Sequence, residues 1–325
     1  MHTPLILSSA LLAFSAAPAA ADDPPLQETL DIRYGDDSDA QALDVFAPKD
    51  AANRPVVLFV HGGAWLFGDK DMLGLYRGVG RFFARHGAVA VCINYRLAPE
   101  AKHPDQVMDV ARAFAWTRAH ARAYGGDPDR ILLCGHSAGG HLAALLATDE
   151  TYLKNPQLGL TDKDGAALKG VMAASGIYRI PTTDEYHAML ESTVGGLLYY
   201  SGNSPTVAAL APALLKHGRA LNPFRLVFGE DRTEAMKAAP LAHVRKGLPP
   251  FLVLYAEREL PKVDEMAVDF GKALDDAGDS AEVHRIMGCD HNFILFHLDR
   301  PDDPAAAALL AFLDKVGGPR TGMKP

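Results

Sequence analysis

The chain has 325 residues, of which 48% are hydrophobic and 22% are charged, and this globular composition excludes intrinsic disorder and collagen-like repeats. The formal net charge is −8, from 32 basic and 40 acidic residues. No block of basic residues stands out, so we expect a small-molecule partner rather than nucleic acid.

The first 21 residues are the most biased segment of the chain. Residues 5–21 carry no charged side chain, and three alanines at 19–21 supply the small residues that a signal peptidase requires. We predict a signal peptide over residues 1–21 and a secreted or periplasmic protein; an N-terminal helix of the folded protein is the alternative. No other uncharged apolar run reaches about 18 residues, so the mature chain is expected not to span a membrane.

Strands and helices alternate through the first half of the chain after this leader. Short apolar runs predict strands, and apolar residues spaced by three and four predict helices. In chain order these are a strand at 42–46, a strand at 56–60, a helix at 72–86, a strand at 88–95, a helix at 104–124, a turn at 125–128, a strand at 131–135, a helix at 138–148 and a strand at 170–176. Strands that alternate with helices favour an α/β fold with a mostly parallel sheet.

The alternation breaks at about residue 180 and resumes at about 245. It then continues with a strand at 251–255, a helix at 263–277, a strand at 282–287 and a helix at 304–316. We therefore predict a single domain over 22–325, with its core at about 42–179 and 246–316. The segment between them is predicted to be an insert that caps the fold.

One motif lies where a strand is predicted to pass into a helix. Residues 135–139 read Gly-His-Ser-Ala-Gly, which has the pattern of a nucleophile elbow. In that turn the serine, here Ser137, stands at the end of a strand with its hydroxyl exposed, and the following helix favours developing negative charge. The alternative is a glycine-rich turn that carries a surface serine.

A second motif follows the buried strand at 56–60. Residues 61–65 read His-Gly-Gly-Ala-Trp, and a glycine pair lets main-chain N–H groups approach a reacting oxygen closely. We expect the N–H groups of Gly63, Ala64 and Ala138 to form an oxyanion hole; a flexible loop is the alternative. Trp65 is expected either to line a substrate pocket or to pack in the core.

A serine nucleophile needs a base, and the base needs a carboxylate to orient it. His291 comes directly after the last predicted strand, at the sheet edge where Ser137 is expected. Among the other histidines, those at 61 and 136 are expected to hold their own turns, and the one at 141 to pack. For the acid we favour Glu259, which follows the predicted strand at 251–255, with Glu257 and Asp264 as alternatives. Asp231 and Asp290 are weaker candidates.

The three cysteines are expected to remain free. Cys92, Cys134 and Cys289 each lie in or beside an apolar strand-like run, and an odd number cannot all pair within one chain. A chain of this length builds its core without disulfides. Neither Cys-x-x-Cys nor His-Glu-x-x-His occurs, so we expect no metal site.

These motifs together resemble the α/β-hydrolase fold, and within it the esterases and lipases with a His-Gly-Gly oxyanion motif. The chain order Ser137, Glu259, His291 agrees with that fold, and so does Asn-Tyr-Arg-Leu-Ala-Pro-Glu at 94–100. The elbow is similar to that of hormone-sensitive-lipase-like, feruloyl-esterase-like and kynurenine-formamidase-like enzymes. Three departures are Ala64 where many esterases have a third glycine, a glutamate where aspartate is commoner, and Ala256 where a glycine is expected before the acid.

The resemblance implies a serine hydrolase that cleaves small carboxylic esters and needs no metal or organic cofactor. Two alternatives remain open at this point: an amidase, formamidase or peptidase with the same triad, and a non-catalytic binding module on a hydrolase scaffold. In this fold an insert often covers the site. Simple packing over the sheet is the alternative to an apolar lid, whose candidate members are Met189, Leu197, Leu198, Tyr199 and Tyr200.

Overall fold

The structure, a computed structural model, describes residues 25–200 and 205–318. The predicted signal peptide at 1–21 lies outside these residues. Across the two described ranges, no helix combines the length and the hydropathy that a membrane span requires.

Eight strands form one mixed sheet in the described part of the chain. They are β1 Leu26–Arg33, β2 Ala42–Pro48, β3 Arg54–Val60, β4 Val89–Ile93, β5 Gly126–His136, β6 Leu168–Ala174, β7 Phe251–Arg258 and β8 Ala281–Asp290. Their order is β1-β2-β4-β3-β5-β6-β7-β8. The pairs β1–β2 and β2–β4 are antiparallel, and all other neighbours are parallel. This confirms the predicted α/β class with a mostly parallel sheet.

Helices cover both faces of the sheet, which explains why its central strands are continuous apolar runs. The helices are α1 Leu75–Arg85, α2 Asp105–His120, α3 Ala138–Thr148, α4 Glu150–Leu153, α5 Asp162–Gly165, α6 Thr183–Tyr200, α7 Pro205–Ala220, α8 Pro223–Phe228, α9 Arg232–Lys237, α10 Val263–Ala277 and α11 Pro304–Gly317. One core layer packs α2, α3 and α10 on the sheet, and the second packs α1 and α11 on the opposite face.

Two differences from the predicted elements concern strands β1 and β5. Strand β1 was not expected, because most of its residues are exposed and it lacks the apolar run of a buried strand. The predicted turn at 125–128 is wrong in its last three residues, which begin β5 because Arg54 of β3 pairs with Gly126. Gly125 turns the chain, with φ at 77°, and the pairing with β3 is irregular between Gly126 and Ile131.

The predicted insert is mainly helical and packs on the rest of the fold. Helices α6 to α9 and a short 3-10 turn at Pro240–His243 lie between β6 and β7. Met189 is buried, so this member of the predicted lid faces protein rather than solvent. The other members of that lid lie at 197–200 in α6, and the structure does not describe their side chains. The role of the insert as a cap therefore stays a prediction.

All three cysteines lie within the described residues, and each is free. Cys92 and Cys134 are fully buried, and burial raises the pKa of both thiols well above the usual range. Cys289 is partly buried, and burial also raises the pKa of its thiol. The cysteines are therefore held as neutral thiols.

A buried ion pair fixes the segment that follows β4 to helix α2. The carboxylate of Asp109, fully buried, accepts hydrogen bonds from the main-chain N–H of Arg96 at 3.0 Å and from its guanidinium at 2.9 Å. The amide of Gln41 donates to the same carboxylate at 2.7 Å. Removing one partner of such a buried pair leaves the other charge without compensation, so the pair is costly to break.

Replacing Asp109 should therefore destabilise the fold strongly. We expect Asp109→Ala to lower the free energy of unfolding by about 3 kcal/mol or more, because Arg96 and Gln41 lose their common acceptor. Asp105→Ala is the matched control: this residue lies on the same helix, 3.6 Å from the Arg96 guanidinium, but its side chain is 48% exposed. Its loss should cost less than about 1 kcal/mol. Urea unfolding measures both, and equal losses would contradict the assignment.

Candidate active site

Ser137 lies in the tight turn between β5 and α3. Its φ is 52° and its ψ −116°, a strained conformation that holds the side chain above the strand end. The turn requires small neighbours: a Cβ on Gly135 would lie 2.3 Å from the carbonyl oxygen of Gly139, and a Cβ on Gly139 would lie 2.1 Å from that of Val60. Ala138 begins α3, so its N–H is among those that intrahelical bonding leaves free.

His291 lies between this serine and a carboxylate. It follows β8, and its Nε2 is 2.9 Å from Oγ of Ser137. On the other side of the ring, Nδ1 hydrogen bonds with Oε1 of Glu259. Because a carboxylate accepts, it favours the tautomer with the proton on Nδ1. The lone pair of Nε2 then faces the serine hydroxyl, which is the arrangement that activates a serine nucleophile.

Glu259 is held by hydrogen bonds to both of its oxygens. Ser175 Oγ donates at 2.6 Å and the Ala256 N–H at 3.1 Å to Oε2, while the Leu260 N–H donates to Oε1 at 2.9 Å. Burial raises the pKa of this carboxyl. The hydrogen bond and electrostatic interaction with His291, and the hydrogen bonds from Ser175 and Ala256, lower the pKa by more, so the net shift is downward. The group is therefore an ionised, oriented acceptor.

The other candidate acids occupy different positions. Glu257 lies within β7 and accepts from the N–H of Gly288 at 2.9 Å. Asp264 lies in the first turn of α10. Asp231 caps α9, and Asp290 accepts from the N–H of Asn292 at 3.0 Å. Of the carboxylates considered from the sequence, the structure brings Glu259 to His291.

The sequence did not reveal one member of this group, Ser175. It follows β6 directly and has a positive φ of 50°. Its hydroxyl bonds the Glu259 carboxylate, and its side chain is buried. The signal was a single hydroxyl residue near the end of the strand predicted at 170–176; because β6 ends at Ala174, Ser175 takes a position equivalent to that of Ser137 after β5.

The loop after β3 carries the predicted oxyanion donors Gly63 and Ala64. Three successive residues have positive φ: 119° at Gly63, 51° at Ala64 and 60° at Trp65. A Cβ on Gly63 would lie 1.9 Å from the carbonyl oxygen of Phe67, so only glycine fits there. The carbonyl of Gly63 accepts from the N–H of Phe67 at 3.1 Å, which closes the turn. The structure places this turn beside the elbow, because Gly139 contacts the end of β3.

Two sets of contacts hold this loop, ion pairs at Lys70 and aromatic packing at Trp65. Lys70, 5% exposed, forms ion pairs with Asp31 at 2.6 Å and Asp44 at 2.8 Å. Trp65 is only 2% exposed and packs edge-to-face on His141 and on Phe228 of α8. The structure thus encloses Trp65 in protein, and its predicted contact with substrate stays a prediction.

The other histidines near the site are buried and neutral. His61 stacks on Tyr95 with ring centroids 4.4 Å apart, and His141 bonds the carbonyl of Ala238 through Nε2 at 2.8 Å. Burial lowers the pKa of His61 and His136 to about 4 and that of His141 to about 3. The described residues contain no cluster of histidine, cysteine and carboxylate groups suited to a metal ion.

Comparison with known proteins adds to this geometry. A family model described as BD-FAE matches residues 43–263, more than half of the chain. The esterase LipC of Mycobacterium tuberculosis is 31% identical over 88% of this chain and 64% of its own length. The chain spans between about half and two thirds of the length of the first curated relatives that it matches.

Solved structures show the same fold. Esterase B from Lactobacillus rhamnosis superposes with a TM-score of 0.68 at 20% identity, covering 91% of this chain and 87% of the other. A truncated carbohydrate esterase from gut microbiota has a TM-score of 0.68 at 18% identity, covering 92% and 99%. These likenesses confirm the α/β-hydrolase fold that the resemblance implied.

Four neutral histidines, three of them buried and His103 partly buried, should make the fold sensitive to mild acid. His61, His103 and His136 have pKa values lowered to about 4 by burial, and His141 to about 3, whereas 6.5 is the ordinary value. Between about pH 6.5 and pH 4 the unfolded chain binds more protons than the folded one. The free energy of unfolding should therefore fall as pH decreases, by up to about 1.4 kcal/mol per pH unit for each histidine.

Urea titrations between about pH 7.5 and pH 5 measure this slope. His141→Phe should make the slope shallower, because it removes one of the groups that titrate only in the unfolded chain. Leu221→Gln, a change at an exposed residue without an ionisable group, should leave the slope unchanged. An unfolding midpoint that does not move over this range would contradict the prediction.

The reactivity of Ser137 tests which acid supports the base. We expect Glu259→Gln to slow labelling of Ser137 by a fluorophosphonate by about 10³-fold, because His291 loses the charge that stabilises its protonated form. Glu257→Gln, at a neighbouring and more exposed carboxylate, should change the rate by less than about twofold. Circular dichroism verifies that both variants are folded. A larger loss with Glu257→Gln than with Glu259→Gln would overturn the assignment.

Proposed function

The chain belongs to the BD-FAE family, and from that premise we propose that it is a serine hydrolase that cleaves carboxylic esters. The observation that carries the proposal is the linkage of Ser137, His291 and Glu259, with Nε2 of the histidine 2.9 Å from the serine Oγ. The names of the curated relatives, LipC among them, are those of esterases and carboxylic ester hydrolases. They support the same reaction class.

Acylation begins at the serine hydroxyl. Ser137 Oγ attacks the ester carbonyl carbon while Nε2 of His291 takes the hydroxyl proton, as the tautomer set by Glu259 allows. The imidazolium that forms lies against an ionised, buried carboxylate, which stabilises it. His291 then donates the proton to the leaving alkoxide oxygen, the carbon–oxygen bond breaks, and the alcohol departs.

The tetrahedral intermediate carries its negative charge on the former carbonyl oxygen. The N–H groups of Gly63, Ala64 and Ala138 are proposed to bind this oxygen. Their positions are set before substrate arrives, because positive φ angles and the contact with Phe67 fix the loop while α3 fixes Ala138. Preorganised donors of this kind each contribute about 10²–10³ to turnover.

Deacylation repeats the sequence with water as the nucleophile. His291 removes a proton from the water, whose oxygen attacks the acyl carbon, and Ser137 Oγ leaves with the proton that the imidazolium returns. Atoms and charge balance over one cycle of ester plus water to acid plus alcohol. Every proton transfer is carried by side chains of this protein, so the proposed mechanism uses no cofactor.

Hydrolysis of p-nitrophenyl acetate and butyrate by the full chain tests the proposal. We expect ester hydrolysis by the parent, and a loss of at least about 10³-fold in Ser137→Ala because the nucleophile is removed. Ser38→Ala, a serine change in the loop between β1 and β2, is the matched control and should retain the parent rate.

The corresponding p-nitroanilides separate esters from amides. Faster anilide than ester hydrolysis by the parent would favour the amidase alternative with the same triad. Ester hydrolysis that persists in Ser137→Ala would reject Ser137 as the nucleophile. Background rates on both substrates, together with no fluorophosphonate labelling of Ser137, would favour a non-catalytic binding module.

A further inference from the structure

Two buried side chains that the proposed mechanism does not use connect its separate parts. His136 precedes the nucleophile, and Tyr76 lies in α1; they are 4% and 3% exposed. Tyr76 Oη is 2.9 Å from Nδ1 of His136 and 3.1 Å from the main-chain nitrogen of Gly62. Nε2 of His136 is 2.7 Å from the main-chain oxygen of His291.

We propose that Tyr76 and His136 form a positioning relay, the Gly62–Tyr76–His136–His291 chain of hydrogen bonds, that sets the main chain of the general base relative to the oxyanion loop. The inference rests on the proposed function and identifies two positioning residues for it. Neither residue touches the reacting atoms; both act through the loops that carry those atoms.

The direction of each hydrogen bond in the relay follows from its two ends. The carbonyl of His291 can only accept, so Nε2 of His136 carries the proton. The ring is neutral near pH 7, so its Nδ1 is an acceptor, and the Tyr76 hydroxyl donates to it. The hydroxyl oxygen in turn accepts from the N–H of Gly62, which can only donate. Only one arrangement of protons satisfies all three bonds.

Burial keeps the relay in this single arrangement. It lowers the pKa of His136 to about 4 and raises that of Tyr76 to about 12, so both groups stay neutral near pH 7. The rings of Phe59 and Phe296 pack on Tyr76 with centroids 5.4 Å and 5.2 Å away, which shields its hydroxyl. A bond broken here leaves a buried polar atom unsatisfied, so the relay resists displacement.

The first glycine of the His-Gly-Gly motif is explained by the relay. A Cβ on Gly62 would lie 2.8 Å from Tyr76 Oη and 2.9 Å from Nδ1 of His136. Any side chain at this position would push both groups away from the loop. Gly62 thus admits the relay, whereas Gly63 permits the turn that closes on Phe67.

The relay supplies one of the two hydrogen bonds that hold the main chain of His291. The N–H of His291 donates to the carbonyl of Arg258 at 3.2 Å, and its carbonyl accepts from His136. The segment after His291 has no regular secondary structure until α11 begins at Pro304. Loss of the His136 bond would therefore let the imidazole move relative to Ser137, and displacements near 1 Å can cost about 10²-fold in rate.

Four variants of the full chain test the relay, and the first of them removes a single oxygen atom. We expect Tyr76→Phe to lower kcat on p-nitrophenyl butyrate by about 10-fold with little change in KM, since the geometry of the base is altered and substrate binding is not. His136→Leu, which breaks both bonds, should lower kcat by about 10²-fold. His136→Gln keeps a donor towards the His291 carbonyl and should recover much of this loss. The double variant Tyr76→Phe with His136→Leu should be no slower than His136→Leu, because both changes break the same chain.

Tyr34→Phe is the matched control. Tyr34 is also buried, and its hydroxyl donates to the carbonyl of Asn94 at 2.7 Å, outside the relay. It should lose stability like Tyr76→Phe but keep kcat. The proton resonance of His291 Nδ1–H provides a second readout: it should shift or broaden in the relay variants and stay unchanged in Tyr34→Phe.

The outcomes separate the relay from the proposed function. Folded Tyr76→Phe and His136→Leu with kcat within about twofold of the parent would overturn the relay, and so would an equal kcat loss in Tyr34→Phe. If His136→Leu does not fold, Tyr76→Phe decides, because it removes one oxygen atom. If the parent hydrolyses no ester, the proposed function fails, and the rate of fluorophosphonate labelling of Ser137 in the same variants decides the relay.

Discussion

The close approach of the nucleophile turn to the end of β3 is the constraint on which the site depends. At Gly139 there is room only for a hydrogen, since a Cβ would lie 2.1 Å from the carbonyl oxygen of Val60 and 2.5 Å from that of His61. This contact brings the first turn of α3 against the loop that begins at His61. Two glycines, at 135 and 139, let these main chains pack, and this packing supports the proposal that the N–H of Ala138 acts together with those of the His-Gly-Gly loop.

Parallel strands bring the candidate catalytic residues to the same edge of the sheet as this contact. Strands β3, β5, β6, β7 and β8 run in the same direction, so the residues that follow them meet at one edge of the sheet. Each strand end supplies one part: the loop with the proposed oxyanion donors, then Ser137, Ser175, Glu259 and His291. Burial keeps the surrounding histidines neutral, whereas hydrogen bonds keep Glu259 ionised despite its burial.

The sequence was informative where a feature depends on short-range geometry. The elbow at 135–139 and the helix after it were predictable because a sharp turn needs small residues and the helix has a clear apolar pattern. His291 was predictable from its place after the last predicted strand. The exposed edge strand β1 was not, because it lacks a buried run. The relay was also hidden, since Tyr76 is separated from His136 by 60 positions and from Gly62 by 14.

Tertiary contacts, which the residue types do not reveal, determine which of the candidate carboxylates pairs with His291. The sequence placed Glu259 four residues beyond a strand expected to end at 255, but β7 continues to Arg258, so the glutamate starts at the sheet edge itself. Its side chain turns back over the strand end, where Ala256 and Ser175 donate to Oε2. Those two donors occupy Oε2, and His291 shares Oε1 with the N–H of Leu260. The additional methylene of glutamate, compared with aspartate, is thus accommodated by one donor within β7, Ala256, and one after β6, Ser175. Position along the chain alone could not identify them.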